Sequence, residues 1–162
     1  MARSLTSPSA RLIGLVSDTH GLVRPSVFTA LEGVDLILHA GDVGDGVLTE
    51  LGAIAPVRAV AGNTDPPGVL PPALDIEIEG IRIHVSHGNE LGVPTPEKLL
   101  ARYSADVIVY GHTHRQLVVR ADNRWVVNPG AAGQRRFKLQ PSVGKLRIER
   151  GAISVEIVEL SA

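Results

Sequence analysis

Five short, mainly apolar runs between residues 12 and 110 each end beside a glycine and side chains rich in oxygen and nitrogen. They are LIGLVS before Asp18-Thr19-His20-Gly21, DLILH before Ala40-Gly41-Asp42, VRAVA before Gly62-Asn63-Thr64-Asp65, IRIHVS before His87-Gly88-Asn89, and DVIVY before Gly111-His112-Thr113-His114. Short apolar runs bounded by turn residues are typical of buried strands. Because ligands of α/β sheets bind beyond the carboxyl ends of the strands, we expect these polar groups to converge on one site.

The first half of the chain alternates strands with short helices, which predicts right-handed crossovers and parallel pairing. Proline at a helix start and glycine after a helix end mark the first helix, and apolar residues at helical spacing mark the second. The expected elements are a strand over Leu12–Ser17, a helix from Pro25 closed by Gly33, a strand over Asp35–His39, a helix from Val47 to Ile54 stopped by Pro56, and a strand over Val57–Ala61.

From residue 73 onward, hairpins replace the crossovers. Alternating side chains flank turns at Glu79-Gly80, Ala121–Asn123 and Arg150-Gly151, with one further helix over Glu97–Tyr103 and a strand over Asp106–Tyr110. Two mixed β-sheets packed together with helices outside are the simplest arrangement, an α/β fold. We expect a flexible N-terminal tail over residues 1–10 and a single domain over 11–162, with Pro66–Pro72 as a loop inside that domain.

Charge and composition exclude several classes of function. The formal net charge is −1, and one Trp, two Tyr and two Phe are too few for a base-stacking surface, so no stable nucleic-acid complex is expected. Cysteine is absent, which excludes disulfides and thiolate metal sites. The start of the chain lacks the apolar core of a signal peptide, and no apolar run approaches membrane-spanning length. We therefore expect a cytoplasmic protein with no membrane partner.

The polar residues after the strands form a set of metal donors. Carboxylate, amide oxygen and imidazole are all present, and the seven candidates are Asp18, His20, Asp42, Asn63, His87, His112 and His114. Seven donors exceed what one tetrahedral zinc takes and suit two cations that share a bridging carboxylate. Two divalent cations, two aspartates and a hydroxide would leave about one net positive charge, which favours an anionic phosphate ester over a neutral carbonyl.

Two further histidines are not expected to bind metal. His84 shares a strand face with Arg82 and Ser86, away from the apolar side chains of that strand. His39 lies inside its strand, where a structural or supporting role is favoured.

The ordered series DTH, GD, GNTD, HG and GHTH resembles the calcineurin-like metallophosphoesterase superfamily. The short length and Asn128-Pro129-Gly130 are similar to its compact YfcE-like phosphodiesterase branch. This resemblance implies a four-layer αββα sandwich. It also implies that Asp18, His20 and His114 hold one metal and that Asn63, His87 and His112 hold the other. Asp42 would bridge the two, and a hydroxide shared by the metals would attack phosphorus in line.

The cofactors implied are two divalent ions, with manganese favoured and iron, nickel, zinc and magnesium left open, because mixed nitrogen and oxygen donors discriminate poorly. The partner is a small phosphate ester, and self-association into a homo-oligomer is compatible with the family.

The GNTD motif departs from a common family pattern, since many members carry histidine where this chain has Thr64. A threonine hydroxyl cannot act as a general acid near neutral pH. Asn63 and Asp65 are the candidate catalytic residues of this motif, with Asp65 expected to orient a neighbouring ligand by hydrogen bonding. Activated aryl phosphodiesters should therefore be turned over faster than alkyl phosphates.

Arg135 and Arg136 follow a glycine-rich turn, where a solvated basic loop is the slightly favoured interpretation and phosphate binding through their guanidinium groups is the functional one. Three other readings stay open. The same fold serves as a non-catalytic protein-binding scaffold in a retromer subunit, which lacks part of the ligand set. A nuclease or nucleotide phosphatase and a mononuclear hydrolase are the others.

Overall fold

The computed structural model describes residues 10–135 and 138–161, so only Ala10 of the expected N-terminal tail falls among them. The first sheet contains β1 (Arg11–Val16), β2 (Leu36–His39), β3 (Val57–Ala59), β9 (Ser142–Glu149) and β10 (Ala152–Glu159), in the spatial order β10-β9-β1-β2-β3. The three N-terminal strands are parallel, as predicted. The C-terminal hairpin β9-β10 adds to the other side of β1 in antiparallel pairing.

The second sheet contains β4 (Ala73–Ile78), β5 (Ile81–Ser86), β6 (Val107–Val109), β7 (Leu117–Ala121) and β8 (Arg124–Asn128), in the order β4-β5-β6-β8-β7. Its three central strands are parallel, and the two hairpins β4-β5 and β7-β8 supply antiparallel edges. Glu79 and Gly80 have φ of 51° and 82°, the left-handed values that a tight two-residue hairpin turn requires.

Three short α-helices and one 3₁₀ turn connect the strands. They are α1 (Pro25–Ala30), α2 (Val47–Gly52), α3 (Pro96–Arg102) and the 3₁₀ turn Asn89–Leu91. α3 begins where Thr95 accepts a hydrogen bond from the Lys98 amide at 3.3 Å. The expected strand over Val57–Ala61 ends early because the Ala61 amide turns away to the Pro71 carbonyl at 2.8 Å. Within the described part of the chain, no helix has the length and apolar character to cross a membrane.

The core consists of three apolar layers. One lies between α1, α2 and the first sheet, with Val27 and Leu51 fully covered. A second lies between the two sheets and includes Leu15 and Val85, and a third lies between α3 and the second sheet around Leu99. Burying each large aliphatic side chain contributes about 1.5–3 kcal/mol. Three layers of apolar contact separate four layers of structure, which confirms the αββα sandwich.

Candidate metal centre

The seven predicted donors lie in five loops, each directly after a strand. β1, β2 and β3 lead to Asp18, His20, Asp42 and Asn63, and β5 and β6 lead to His87, His112 and His114. All five strands belong to the parallel parts of the two sheets. The carboxyl ends of both sheets meet at one end of the sandwich, so groups far apart along the chain come into contact there, as the His114 and Asp18 side chains do.

The first group of donors surrounds Asp18. Its Oδ1 lies 3.3 Å from His114 Nε2 and 3.8 Å from His20 Nε2. One donor atom from each of these three residues lies within 4.8 Å of the others, the spacing that a single bound cation needs. Asp18 is buried, and both histidines are half-buried or more. This group contains the donors expected to hold one metal.

The second group of donors surrounds His87. Its Nε2 lies 3.2 Å from Asp42 Oδ2 and 3.7 Å from Asp18 Oδ1, within metal-binding spacing of both carboxylates. His112 and Asn63 complete this side, because His112 Nδ1 lies 3.2 Å from Asn63 Oδ1 and the His112 ring is 5.2 Å from the His87 ring. The two groups are therefore contiguous.

Two carboxylates connect the groups. Asp42 Oδ2 lies 3.7 Å from His20 Nε2 as well as 3.2 Å from His87 Nε2, which is the position a bridging oxygen would occupy. Asp18 Oδ1 also lies between the two groups, facing His87 as well as His20 and His114. The geometry thus offers two shared oxygens, and the assignment of the bridge to Asp42 stays a prediction.

Three of the donors, Asp18, Asp42 and His87, are oriented by a hydrogen bond through their other polar atom. Asp18 Oδ2 accepts from the Ser17 hydroxyl at 2.6 Å and from the His112 amide at 3.0 Å. Asp42 Oδ1 accepts from the Thr64 amide at 2.9 Å. His87 Nδ1 donates to the Ala40 carbonyl at 2.8 Å, which leaves Nε2 as the free ligand atom. Such fixed orientation is typical of metal ligands.

Charge within the cluster follows from these contacts. Burial by itself would raise the pKa of Asp18 and Asp42, but their contacts with His114, His87 and backbone or hydroxyl donors outweigh burial and hold both pKa values below the usual range. Burial would lower the pKa of His87, yet the adjacent Asp42 and Asp18 carboxylates raise it. The cluster therefore holds two ionised carboxylates in a buried place that attracts positive charge.

The local backbone is strained at most of the donors. Five of them have left-handed φ values, which non-glycine residues rarely adopt: Asp18 (52°), His20 (47°), Asp42 (56°), His112 (71°) and His114 (63°). Each such residue costs on the order of 1–3 kcal/mol, and strain of this kind concentrates at functional sites. Outside the cluster, the other described non-glycine residues with positive φ lie in the three hairpin turns, at Glu79, Asp122 and Arg150.

Glycines let the loops approach one another. A Cβ on Gly62 would overlap the Asp42 carboxylate, and a Cβ on Gly111 would overlap the Ser17 hydroxyl and lie 2.6 Å from Asp18 Oδ2. Any side chain at either position would displace a donor.

The fit of this cluster to metal ions is shown by its unpaired atoms. Four buried polar atoms in it make no hydrogen bond within the described residues: Asp18 Oδ1, His20 Nε2, His87 Nε2 and His114 Nδ1. Leaving such atoms unpaired costs about 1–3 kcal/mol each. Three of them, Asp18 Oδ1, His20 Nε2 and His87 Nε2, are atoms whose short separations were given above, so one cation in each of the two groups would satisfy all three. The oxygen and nitrogen donors suit divalent ions.

Asp65 supports the cluster from behind. Its carboxylate accepts hydrogen bonds from the amides of Gly62 (2.8 Å), Val43 (2.9 Å) and Gly44 (3.3 Å), which flank Asp42 and Asn63. The hydrogen bonding expected of Asp65 thus reaches backbone amides beside the ligands, and its catalytic role stays a prediction. Thr64 contributes its backbone amide to Asp42, and its side chain is exposed.

The two arginines are less well placed by the structure. Arg135 is exposed, two residues after Gly133, whose carbonyl accepts a hydrogen bond from Arg24 Nε at 2.9 Å. Arg136 lies outside the described residues. Phosphate binding by either residue stays a prediction.

The two remaining histidines have other partners. His39 is fully buried; its Nδ1 accepts from the Gly41 amide at 3.1 Å, so Nε2 donates to the Thr19 hydroxyl at 3.0 Å. His84 Nδ1 lies 2.9 Å from Asp75, and its ring stacks on Tyr103 at 3.7 Å. His84 is nearly as buried as the apolar residues of its strand, because Tyr103 covers the face that was expected to be polar.

Sequence reasoning missed the residues that orient the ligands. Asn128 is buried and donates to the Gly111 carbonyl (3.2 Å) and the Thr113 hydroxyl (3.0 Å), which fixes the loop carrying His112 and His114. Ser17 does the same for Asp18. A small polar residue next to a ligand was the signal for Ser17, whereas Asn128 is distant in sequence and only its resemblance to a family motif marked it.

Two cavities border the cluster, each at one of its candidate donors. The larger, about 910 Å³, includes Asn63 and Asp65 in its wall, and the smaller, about 480 Å³, includes His20 and Thr64. The Pro66–Pro72 loop contributes to both, and Leu70 and Asp65 line both.

Comparison with known proteins agrees with this geometry. Residues 12–151 match the model of the calcineurin-like phosphoesterase superfamily domain. A probable metallophosphoesterase of Methanothermobacter thermautotrophicus is 38% identical over 164 residues, which is 93% of this chain and 94% of that protein. A phosphodiesterase of Methanocaldococcus jannaschii is 28% identical over 139 residues, 73% of this chain and 82% of that protein.

Among solved structures, wild-type Vps29 of Entamoeba histolytica complexed with zinc has the same fold, with a TM-score of 0.75 at 21% identity over 93% of this chain and 99% of that one. The chain belongs to the calcineurin-like phosphoesterase superfamily, which confirms the family predicted from the motifs. Membership of this family indicates a phosphoesterase and implies divalent metal ions.

Proposed function

We propose that the protein is a phosphodiesterase that uses two divalent cations to hydrolyse a small diester. The observation that carries this proposal is the pair of cavities, of about 910 and 480 Å³, that reach the cluster at two different donors, Asn63 and His20. A phosphodiester has two alcohol groups, and a phosphate held at the cluster could direct one into each cavity. A monoester would leave one cavity unused. The phosphodiesterase of Methanocaldococcus jannaschii among the relatives supports the same choice.

The donor groups divide between the two cations. Asp18, His20 and His114 would hold one, Asn63, His87 and His112 the other, and Asp42 would be shared. When bound, the two cations supply an activated water for in-line attack and positive charge that offsets the charge of the phosphate. Manganese is the favoured ion, and the zinc complex of Vps29 supports a metal site in this fold.

The chain itself has to hold the substrate and to supply or accept protons. Asn63 is exposed beside the larger cavity, so its amide can both bind metal and face the phosphate. Thr64 cannot protonate a leaving alkoxide near neutral pH, so the departing group must itself be stable as an anion. Arg135 and Arg136 would bind phosphate from the loop beyond Gly133.

The alternative, a protein-binding scaffold of the same fold, is less well supported. All seven donor positions carry side chains able to bind metal, and four buried atoms among them lack partners. Binding a protein partner needs neither feature.

The test is hydrolysis of bis(p-nitrophenyl) phosphate and p-nitrophenyl phosphate with Mn²⁺, and after removal of metal by a chelator. We expect kcat/KM for the diester to exceed that for the monoester by about tenfold or more, and chelation to abolish both activities. A preference for the monoester, or activity that survives chelation, would contradict the proposal.

A further inference from the structure

We propose that the larger cavity binds an uncharged, ring-bearing alcohol group of the substrate, so that the physiological ester is a diester with one bulky neutral group and no second phosphate. This inference rests on the proposed phosphodiesterase function and names the substrate class of the same site. It is carried by the size of the cavity, the arrangement of its walls and the sign of its charges.

The floor of the larger cavity is the outer face of the β4-β5 hairpin. Antiparallel register places Ala73 opposite Ser86 and Asp75 opposite His84, so these four side chains point to the same side of the sheet. Tyr103, stacked on His84, forms part of the wall. The proline-rich loop contributes Pro67, Gly68, Leu70 and Pro72. More of the exposed lining is apolar than polar.

The cavity adjoins the metal centre at Asn63, a candidate donor that belongs to its wall. Its volume of about 910 Å³ lies within the range of sites for drug-sized molecules, roughly 300–1,000 Å³. The smaller cavity has about half that volume. The two alcohol groups of the substrate are therefore expected to differ in size, with a ring system on the side of Asn63.

The charges around both cavities disfavour a second anion. Asp65, Asp75 and Glu90 line the larger cavity, against the single guanidinium of Arg102. Glu90 accepts hydrogen bonds from the Tyr103 hydroxyl at 2.7 Å and the Gly88 amide at 2.9 Å, so it can stay ionised. Asp45 and Asp65 line the smaller cavity.

Apart from Arg102, the charged side chains that line the two cavities are carboxylates, and the positive charge that binds phosphate would come from the metal centre. A polynucleotide carries one phosphate per nucleotide and would place neighbouring phosphates against these carboxylates. A diester with a single phosphate avoids that repulsion.

The first experiment compares three diesters that release the same p-nitrophenol. They are thymidine 5′-(p-nitrophenyl phosphate), methyl p-nitrophenyl phosphate, and the thymidine ester carrying an additional 3′-phosphate. Because the leaving group is constant, differences report only on the group that remains. We expect kcat/KM for the thymidine ester to exceed both others by about tenfold. Equal values for the thymidine and methyl esters, or a preference for the 3′-phosphate, would overturn the inference.

The second experiment fills the cavity. Ala73→Phe places a ring on the cavity floor at a residue that is not a metal donor, and Ala152→Phe adds the same ring at an exposed position of β10 as a matched control. We expect Ala73→Phe to remove the preference for the thymidine ester while kcat/KM for the methyl ester stays within about twofold, and Ala152→Phe to change neither. Loss of both activities in Ala73→Phe with metal binding intact, or no loss of preference, would refute the cavity assignment.

Binding of thymidine alone distinguishes failure of the proposed phosphodiesterase function from failure of the cavity inference. Chemical-shift changes in ¹H–¹⁵N spectra of the ¹⁵N-labelled protein do not depend on hydrolysis. If no diester is hydrolysed but thymidine shifts the amides of Asp75, His84 and Tyr103 in the parent and not in Ala73→Phe, the phosphodiesterase proposal fails and the ring-binding cavity stands. Absence of those shifts would contradict the cavity inference itself.

Discussion

The two aspartates of the cluster use their two carboxylate oxygens for different contacts. Asp18 and Asp42 each anchor one oxygen to hydroxyl or amide donors and leave the other facing the histidines. The sequence could name the donors, because carboxylate, amide and imidazole after five strands are few enough to identify. It could not name Asn128 or the Ala40 carbonyl as the groups that orient them, because those contacts join loops that are distant along the chain.

Asp42→Asn tests the shared oxygen. Asparagine Oδ1 can still accept the hydrogen bond from the Thr64 amide, so the fold should be kept while the negative charge between the two donor groups is lost. Substituting a residue that supports a metal ligand typically lowers metal affinity or activity by about 10–100-fold. Because Asp42 would bind metal directly, Asp42→Asn should lower both metal affinity and the rate of hydrolysis by the upper end of that range.

Asp35→Asn is the matched control, since the Asp35 carboxylate also accepts from a backbone amide, that of Leu12 at 2.9 Å, but at an exposed place. Calorimetric titration with Mn²⁺ and the diester assay give the readouts. An Asp42→Asn variant that binds and hydrolyses like Asp35→Asn would exclude Asp42 as a ligand.

Because His39 is buried in its neutral form, we expect the folded protein to lose stability in acid. Burial lowers its pKa from 6.5 to about 4, although the nearby Asp18, Asp65 and Asp42 oppose the shift. Between pH 6.5 and about pH 4, His39 is protonated in the unfolded chain but neutral in the folded chain. The contribution of His39 to the free energy of unfolding is therefore fully present above pH 6.5 and is lost as the pH falls toward 4. The loss between pH 7 and pH 5 should be about 2 kcal/mol.

Urea unfolding of the metal-free parent and of His39→Gln, measured at several pH values, checks this. Glutamine cannot titrate, so the free energy of unfolding of the variant should fall less steeply between pH 7 and pH 5, even if it is lower at pH 7. Parallel curves would show that His39 does not set the acid sensitivity.

The strands, helices and turns that carry these side chains were largely predictable. The three hairpin turns were predicted correctly, because Gly80, Asp122 and Gly151 favour left-handed backbone between alternating segments. The ends of the strands were less accurate. Apolar residues such as Val60 and Ala61 continue the pattern of β3 after the chain has turned toward the proline-rich loop.

Gly111→Ala tests whether loop packing fixes the metal centre. A methyl group would meet the Ser17 hydroxyl and Asp18, so the Asp18 donor must move. We expect metal affinity to fall by at least about tenfold and the free energy of unfolding to fall by about 1–3 kcal/mol, as for other overpacked sites.

Gly52→Ala is the control, because it makes the same substitution at a position with room for a methyl group. No atom lies within 4 Å of a Cβ built on Gly52, which is the last residue of α2. It should bind metal like the parent and gain about 0.5–1 kcal/mol of stability. Metal binding by Gly111→Ala that equals that of Gly52→Ala would show that the loop tolerates displacement.

The order of the strands within each sheet could not be predicted from the sequence, because it depends on pairing between segments that are distant along the chain. β9 lies beside β1 although more than 120 residues separate them along the chain, and β8 pairs with β6 while β7 lies at the edge. That order matters for function, since it brings the carboxyl ends of two sheets together and places the proline-rich loop between two cavities. The motifs indicated one site, and the fold adds the acidic cavities beside it.

The central claim is that residues from five loops form one two-cation centre for phosphoester hydrolysis. Titrating the metal-free protein with Mn²⁺ while measuring bound metal and diester hydrolysis on the same samples tests it most directly. The rate should rise to a plateau only as the second equivalent of metal binds to each chain. A plateau at one equivalent, or hydrolysis that does not follow bound metal, would contradict the claim.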